Sequence, residues 1–192
     1  MAVGFYFDQT RCIGCRACQI ACKDKNRLDV GTLYRHVYTY TTGSFPDVSM
    51  YNCTLACNHC EDPACLKNCP VGAIYKAPDG TVIQDQSMCV GCRMCVMSCP
   101  YHAPHYIEEK HVSGKCDGCY GLRQEGKLPA CVAGCPNRAL DFGDVEELKE
   151  KYGDNLDTGT ITVLPSPDLT HPNLLIKTKD CAFEKDYKEL NW

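Results

Sequence analysis

No apolar run in the 192-residue chain approaches the roughly 18 residues that a membrane-spanning helix requires. The opening stretch, MAVGFYFDQTRC, has no basic segment leading into an apolar one and no paired arginines, so it reads as lacking an export signal of its own. A surplus of one charge is missing too. Twenty Lys and Arg against 24 Asp and Glu leave a formal −4 with the signs interspersed, which excludes the basic footprint of a nucleic-acid binder and argues against an anionic membrane as partner. No G-x-G-x-x-G follows a strand signal and no phosphate-binding loop is present. Nor does any constellation stand ready for acid, base or nucleophile work.

What the chain has in excess is cysteine. Its hydrophobic (44%) and charged (23%) fractions are ordinary for a soluble protein, but it carries 18 cysteines, which composition alone assigns to a disulfide scaffold or a metal protein. Spacing separates the two, because a disulfide joins distant segments whereas a metal cluster collects thiolates from one short loop. Four blocks of four emerge: Cys12, Cys15, Cys18, Cys22; Cys57, Cys60, Cys65, Cys69; Cys89, Cys92, Cys95, Cys99; and Cys116, Cys119, Cys131, Cys135. Only Cys53 and Cys181 are left over, and both read as ordinary thiols.

The first and third blocks have the C-x2-C-x2-C-x3-C spacing of bacterial ferredoxins, in which three close thiolates hold one cubane and the fourth reaches a neighbouring cluster. Zinc is the competing reading, since four-cysteine zinc sites also use C-x2-C knuckles. Such sites take two thiolates from each of two knuckles, and a third cysteine three residues on has no place there. His59, His102, His105 and His111 lie near the blocks, but no block lacks a cysteine for histidine to replace, so they read as structural.

The blocks are of two kinds. DQTRCIGCRAC (8–18) matches DQSMCVGCRMC (85–95), each after a strand-like stretch, while PACLKNCPVGAI (63–74) matches PACVAGCPNRAL (129–140). Gly14 and Gly91 suit backbone that turns tightly around sulfur, and Pro70, Pro100 and Pro136 stop the local helix after the last cysteine of their blocks. Between the second and third blocks, AIYK and TVIQD flank a Pro-Asp-Gly turn, a hairpin signal that joins these blocks in one two-cluster unit. The fourth block then partners the first, with RALDF (138–142) placed to pair with GFYFD (4–8). Pairing blocks one with two and three with four would obey the same rule but leave the hairpin unused.

The expected fold is therefore α+β: two ferredoxin-like units, one nested inside the other, with a strand-rich insertion and an extended C-terminal arm. The outer unit takes residues 1–31 and 112–143, the tyrosine-rich insertion 32–56, the inner unit 57–111, and a short helix with the arm 144–192. In DVEELKEKYG the helix has Asp144 as N-cap, Glu147 at the capping-box position and Gly153 as stop. Crossover of each fourth cysteine gives four ligand sets: Cys12, Cys15, Cys18 with Cys135; Cys116, Cys119, Cys131 with Cys22; Cys57, Cys60, Cys65 with Cys99; and Cys89, Cys92, Cys95 with Cys69. With every cubane given four thiolates and no open iron, the sites suit electron transfer rather than substrate activation.

The segments RCIGCRACQIACKD, CNHCEDPACLKNCPVGAIYK, CVGCRMCVMSCPYHAP, KCDGCY and CVAGCPNRALDFG resemble the four-cluster iron–sulfur (beta) subunits of the molybdopterin oxidoreductases, the dimethyl sulfoxide reductase type in particular, over nearly the whole chain. The resemblance implies a non-catalytic electron-transfer subunit with four 4Fe-4S clusters, a molybdopterin-containing catalytic subunit as partner and, often, a quinol-oxidising integral membrane anchor. Nitrate reductase beta chains replace one cysteine of the third block; Cys92 is present here, which implies four complete cubanes. It further implies a peripheral place in a membrane-associated or soluble bacterial redox complex, exported only beside a twin-arginine-bearing partner and otherwise cytoplasmic. The rival in the same class is the iron–sulfur subunit of a formate dehydrogenase or hydrogenase-linked complex, passing electrons the opposite way. From another class, the rival is a zinc-stabilised interaction module.

Overall fold

The computed structural model describes residues 2–153, 156–157 and 159–190; the parts of the expected outer unit and arm at positions 1, 154–155, 158 and 191–192 lie outside the described residues. In chain order the elements are β1 (Val3–Asp8), α1 (Ala17–Lys25), β2 (His36–Ser44), β3 (Asp47–Leu55), α2 (Ala64–Lys67), β4 (Ile74–Lys76), β5 (Val82–Gln84) and α3 (Met94–Ser98). They continue with β6 (His105–Ile107), β7 (Val112–Gly114), α4 (Tyr120–Gln124), α5 (Ala130–Ala133), β8 (Leu140–Asp144), α6 (Val145–Tyr152), β9 (Leu174–Lys177) and β10 (Lys188–Glu189). No helix among the described residues is long and apolar enough to cross a membrane.

β1 is buried along its whole length because both of its faces and both of its edges are covered. Its alternation sends Val3, Phe5 and Phe7 into the main core and Tyr6 to the opposite face, where Tyr6 stacks on Tyr152 beside Leu148 and Leu175. β8 pairs with it antiparallel, Phe5 opposite Phe142 and Phe7 opposite Leu140. The partner strand begins at Leu140, two residues later than RALDF suggests, because Arg138 occupies a left-handed turn (φ 52°) that no strand can include. α1 packs on α5, where a Cβ on Gly134 would come within 2.9 Å of Ala21 Cβ, so only glycine lets the helices approach this closely.

The other expected hairpin forms between β4 and β5, with Ile74 opposite Gln84. Its turn is locked by Asp79, whose Oδ1 accepts from the Thr81 N–H at 2.9 Å, and by Gly80 at φ 85°. Beside it α2 packs on α3. The tyrosine-rich stretch forms the β2–β3 hairpin, Tyr40 opposite Tyr51. α6 starts as its residues suggest: Asp144 accepts from the N–H groups of Glu146 and Glu147, and Gly153 ends it at φ 91°.

The proline-rich C-terminal stretch is more than an arm. β9 lies parallel to β1 as the third strand of its sheet, and β10 extends the β2–β3 hairpin. LLIK is too short and aperiodic to announce a strand in sequence. Its register is supplied by the free edge of β1, the kind of tertiary override that local pattern does not carry.

Candidate iron–sulfur sites

The sequence repeat is a backbone repeat. Gly14 and Gly91 stand at φ 71° and 69°, and Arg16 and Arg93 at 62° and 61°, so each C-x2-C-x2-C segment coils the same way before its helix begins. A Cβ at Gly14 would lie 2.6 Å from Asn52 Oδ1 and one at Gly91 2.3 Å from the His111 carbonyl oxygen, so space as well as φ demands glycine. The helices then present Cys18 and Cys22 from α1, Cys65 from α2, Cys95 from α3 and Cys131 from α5. After Cys69, Cys99 and Cys135, each followed by proline, the third residue is left-handed in every case: Gly72 (66°), His102 (51°) and Arg138 (52°). That turn brings the Ala139 N–H to 3.3 Å from Cys135 Sγ.

Two cavities are walled by thiols. Cys12, Cys15, Cys18 and Cys135 line one, with Phe7, Val37 and Leu140 among its apolar walls. Cys57, Cys60, Cys65 and Cys99 line another, with Val82 and Tyr101. Elsewhere the thiols that act most on Cys22 are Cys131 and Cys119, on Cys116 they are Cys22, Cys57 and Cys131, and on Cys95 they are Cys89 and Cys69. Among the described residues no three His, Cys, Asp or Glu side chains gather as they would around a single ion. Thiols that surround a space suit a cubane, whereas zinc draws its ligands to about 2.3 Å from one point.

The local electrostatics fit an iron-bound site. Burial pushes the thiols of Cys22, Cys60 and Cys65 up to about 12, so coordination to a metal is what would hold them as thiolates at neutral pH. Donors already face the sulfurs: the Gly118 N–H reaches Cys116 Sγ at 3.3 Å, the Ser113 N–H Cys89 Sγ at 3.4 Å, and Asn26 Nδ2 Cys22 Sγ at 3.6 Å. Such second-sphere bonds orient ligands and tune potentials. The residues present therefore fit the cluster type their spacing suggests.

The β2–β3 hairpin covers the first block with its base, Thr54 Oγ1 lying 3.6 Å from Cys18 Sγ and Asn52 Nδ2 donating to the Cys12 carbonyl at 3.2 Å. Its tip, with Phe45, Val48 and Met50, is exposed. His59 is a core residue: fully buried, its Nδ1 accepts from the Val82 N–H at 3.1 Å, and desolvation, with Lys115 and Arg123 nearby, holds it neutral. Cys53 is buried in the hairpin opposite Tyr38, and Cys181 packs half-buried against the core; neither lines a thiol-walled cavity. Two site residues carry no sequence signal of this kind. Lys115 is visible only as the neighbour of Cys116, and Arg35 only as one cation in the tyrosine-rich stretch; both are buried.

Known proteins resemble this chain. A family model described as a 4Fe-4S dicluster domain matches residues 48–145. The B chain of the anaerobic dimethyl sulfoxide reductase of Escherichia coli K12 is 46% identical over 182 residues, 91% of this chain and 87% of its own length. That of Haemophilus influenzae is 45% identical over 188 residues, 93% and 90% of the two chains. The B subunit of tetrathionate reductase from Salmonella typhimurium is 34% identical over 180 residues, 92% of this chain and 72% of its own. Cysteine blocks, thiol-walled cavities and these likenesses agree: the chain belongs to the 4Fe-4S dicluster family that includes the B chains of dimethyl sulfoxide reductases.

Proposed function

We propose that the chain is the electron-transfer subunit of a reductase complex, holding four 4Fe-4S clusters in two nested ferredoxin-like units. Cys12, Cys15, Cys18 and Cys135 hold one, Cys22, Cys116, Cys119 and Cys131 the second, Cys57, Cys60, Cys65 and Cys99 the third, and Cys69, Cys89, Cys92 and Cys95 the fourth. Bound clusters of this type supply one-electron redox chemistry within roughly −700 to +450 mV, tuned by charge, hydrogen bonding and exposure. The residues of this chain position the sulfurs, exclude water and set that environment.

The observation that carries the reading is the grading of exposure. Cys15 and Cys92, at matching positions of the first and third blocks, are exposed, whereas Cys22, Cys116, Cys119 and Cys131 are all buried. Sets one and four thus reach the surface and set two does not, the arrangement expected of a relay with an entry and an exit. Lining of the cavities by Cys135 with the first block, and by Cys99 with the second, supports the crossover, and the β1–β8 pairing supports the nesting.

Likeness to dimethyl sulfoxide reductase B chains favours a molybdopterin-containing catalytic subunit at one end and a quinol-oxidising membrane anchor at the other. The complex is then peripheral to a membrane, and if it acts outside the cytoplasm the folded chain travels with a partner that bears the twin-arginine signal.

Anaerobic analysis should give about sixteen iron atoms and as many acid-labile sulfides per chain. Half that content, with zinc present, would sink the reading. Cys22→Ser should perturb the same paramagnetic centre as Cys116→Ser and spare the one perturbed by Cys12→Ser. If Cys22→Ser and Cys12→Ser instead damage one shared centre, each block keeps its own fourth cysteine and the nesting is wrong.

A further inference from the structure

Two cations are buried without a carboxylate. Arg35 is 2% and Lys115 5% exposed, and neither forms an ion pair among the described residues. Arg35 Nη1 donates to Thr54 Oγ1 at 3.1 Å, its guanidinium carbon sits 4.3 Å above the Phe5 ring, and its Nε and Nη2 have no partner. Lys115 Nζ donates to the Val82 carbonyl, to the Cys116 carbonyl at 3.0 Å and to Cys57 Sγ at 3.5 Å. An isolated buried charge is strongly unfavourable unless an opposite charge compensates it.

Both cations lie among thiols of different ligand sets. Thr54 Oγ1, which accepts from Arg35, lies 3.6 Å from Cys18 Sγ of the first set, and Cys131, Cys116 and Cys22 of the second set are near enough to favour the buried charge, so the guanidinium stands where the first and second sets meet. Lys115 donates to Cys57 Sγ of the third set and directly precedes Cys116 of the second, whose carbonyl it also bonds, which places the ammonium where the third and second sets meet. Among the described residues Arg35 and Lys115 are the buried cations, and the charged groups acting most on Cys95 are Cys89 and Cys69.

We propose that Arg35 and Lys115 are built-in counter-cations, each seated between two neighbouring clusters, and that they raise the reduction potentials of the three sets they touch while leaving the Cys69, Cys89, Cys92, Cys95 set untouched. The inference rests on the ligand sets proposed above. Four thiolates outweigh the positive charge of a cubane core, and each added electron deepens the negative charge. A fixed cation in a low-dielectric interior therefore favours the reduced form. Because the second set meets both cations, it depends on them most, and all four of its cysteines are buried.

The test is a redox titration followed by paramagnetic resonance on the complete, cluster-loaded complex, with each centre assigned by its Cys→Ser variants. Arg35→Met should lower the reduced-to-oxidised ratio of the first and second centres at fixed potential about tenfold, which is about 59 mV for one electron. Lys115→Met should do so for the second and third, with the fourth centre changing less than about twofold in either variant. Arg35→Lys and Lys115→Arg, which keep the charge, should stay close to the unsubstituted protein. Full iron content with unmoved ratios in the Met variants, or an equal shift in all four centres, overturns the proposal. If a Met variant loads no iron, its charge-retaining counterpart decides: restored loading and potential supports the counter-cation role, and continued failure shows that shape alone matters. A wrong assignment of ligand sets would appear separately, in the cysteine variants, while the contrast between neutral and charge-retaining substitutions still reports whether these cations set any potential.

Discussion

The segments carrying the first and fourth cysteine blocks and those carrying the second and third share a repeat but not a means of support. The former lean on the β8–β1–β9 sheet, the nine-residue α1 and a core that includes Phe5, Phe7, Leu140, Phe142 and Ile176. The latter have a hairpin of two three-residue strands, helices of four and five residues and, apart from Cys57 and Ala103 in the main core, a small core whose buried members are Cys65, Ile74, Val82 and Cys95. Half of that small core is cysteine. Where apolar burial is this scarce, shape must come from metal ligation, as in small metallo-domains whose binding energy is their folding energy. One motif copied within a chain can thus be self-supporting in one copy and cofactor-dependent in the other.

The largest effect that would break this contrast is removal of iron. Anaerobic chelation should abolish hydrogen-exchange protection across residues 57–111 while β1 and β8 keep measurable protection. Simultaneous loss in both regions would mean that the sheet is as dependent on clusters as the hairpin. Next come core truncations. Phe7→Ala, at a side chain 1% exposed, should cost about 3–5 kcal/mol with or without iron. Ile74→Ala should cost about 2–5 kcal/mol in the loaded protein and almost nothing after chelation, where its surroundings are already unfolded. Denaturant melts of both variants in both states would check it.

Much of this contrast is legible in the sequence, though unevenly. The blocks, their two kinds, the Pro-Asp-Gly hairpin, the β1–β8 pairing and the Asp144 cap follow from local pattern, because spacing, turn chemistry and capping are decided within a few residues. The role of LLIK as a strand does not, since it depends on an edge of β1 some 170 positions away. Arg35 is hidden for the same reason. Its neighbours Cys18, Cys22, Cys116 and Cys131 come from segments about a hundred positions apart, and nothing in YRHV marks that arginine as buried. Left-handed Gly72, His102 and Arg138 share no residue type, so the turn they have in common is a property of the preceding Cys-Pro step and of cysteine placement.

A smaller effect concerns the seam between the two regions. Arg123 of α4 donates from Nη1 to Asp79 Oδ2 at 2.7 Å, from Nη2 to Thr81 Oγ1 at 2.7 Å and from Nε to the Gly118 carbonyl at 2.8 Å. It thereby ties the β4–β5 turn to the fourth block. Arg123→Met should cost about 1–3 kcal/mol, the range for hydrogen bonds to charged groups. Burial raises the Asp79 pKa, but the bonds from Arg123 and Thr81 outweigh it and hold the carboxyl below its ordinary 3.8. A depressed carboxylate contributes its stability above the unfolded value and loses it only as pH falls through the folded one, so the penalty should be flat from about pH 8 to pH 5. A penalty that grows or shrinks across that window would show that the seam is held by something other than this pair.

The smallest effect should fall on the side of the sheet that faces away from the cysteines. α6 reaches that face through Leu148 and through Tyr152, whose ring stacks on Tyr6 at a 3.6 Å centroid separation, and its first turn is closed by Asp144. Asp144→Ala leaves the β8 backbone paired with Val3 but strips two amide donors of their acceptor, at a cost of about 1 kcal/mol. Asp144→Ser should recover most of it, since a hydroxyl caps nearly as well. Because β1 stands between α6 and the cysteines, neither substitution should alter iron content or any cluster spectrum. A lower denaturation midpoint with unchanged spectra is the expected pair of results. A shifted paramagnetic signal in Asp144→Ala would show that strain at the back of β1 is transmitted to the metal sites, and that the outer sheet does not insulate them.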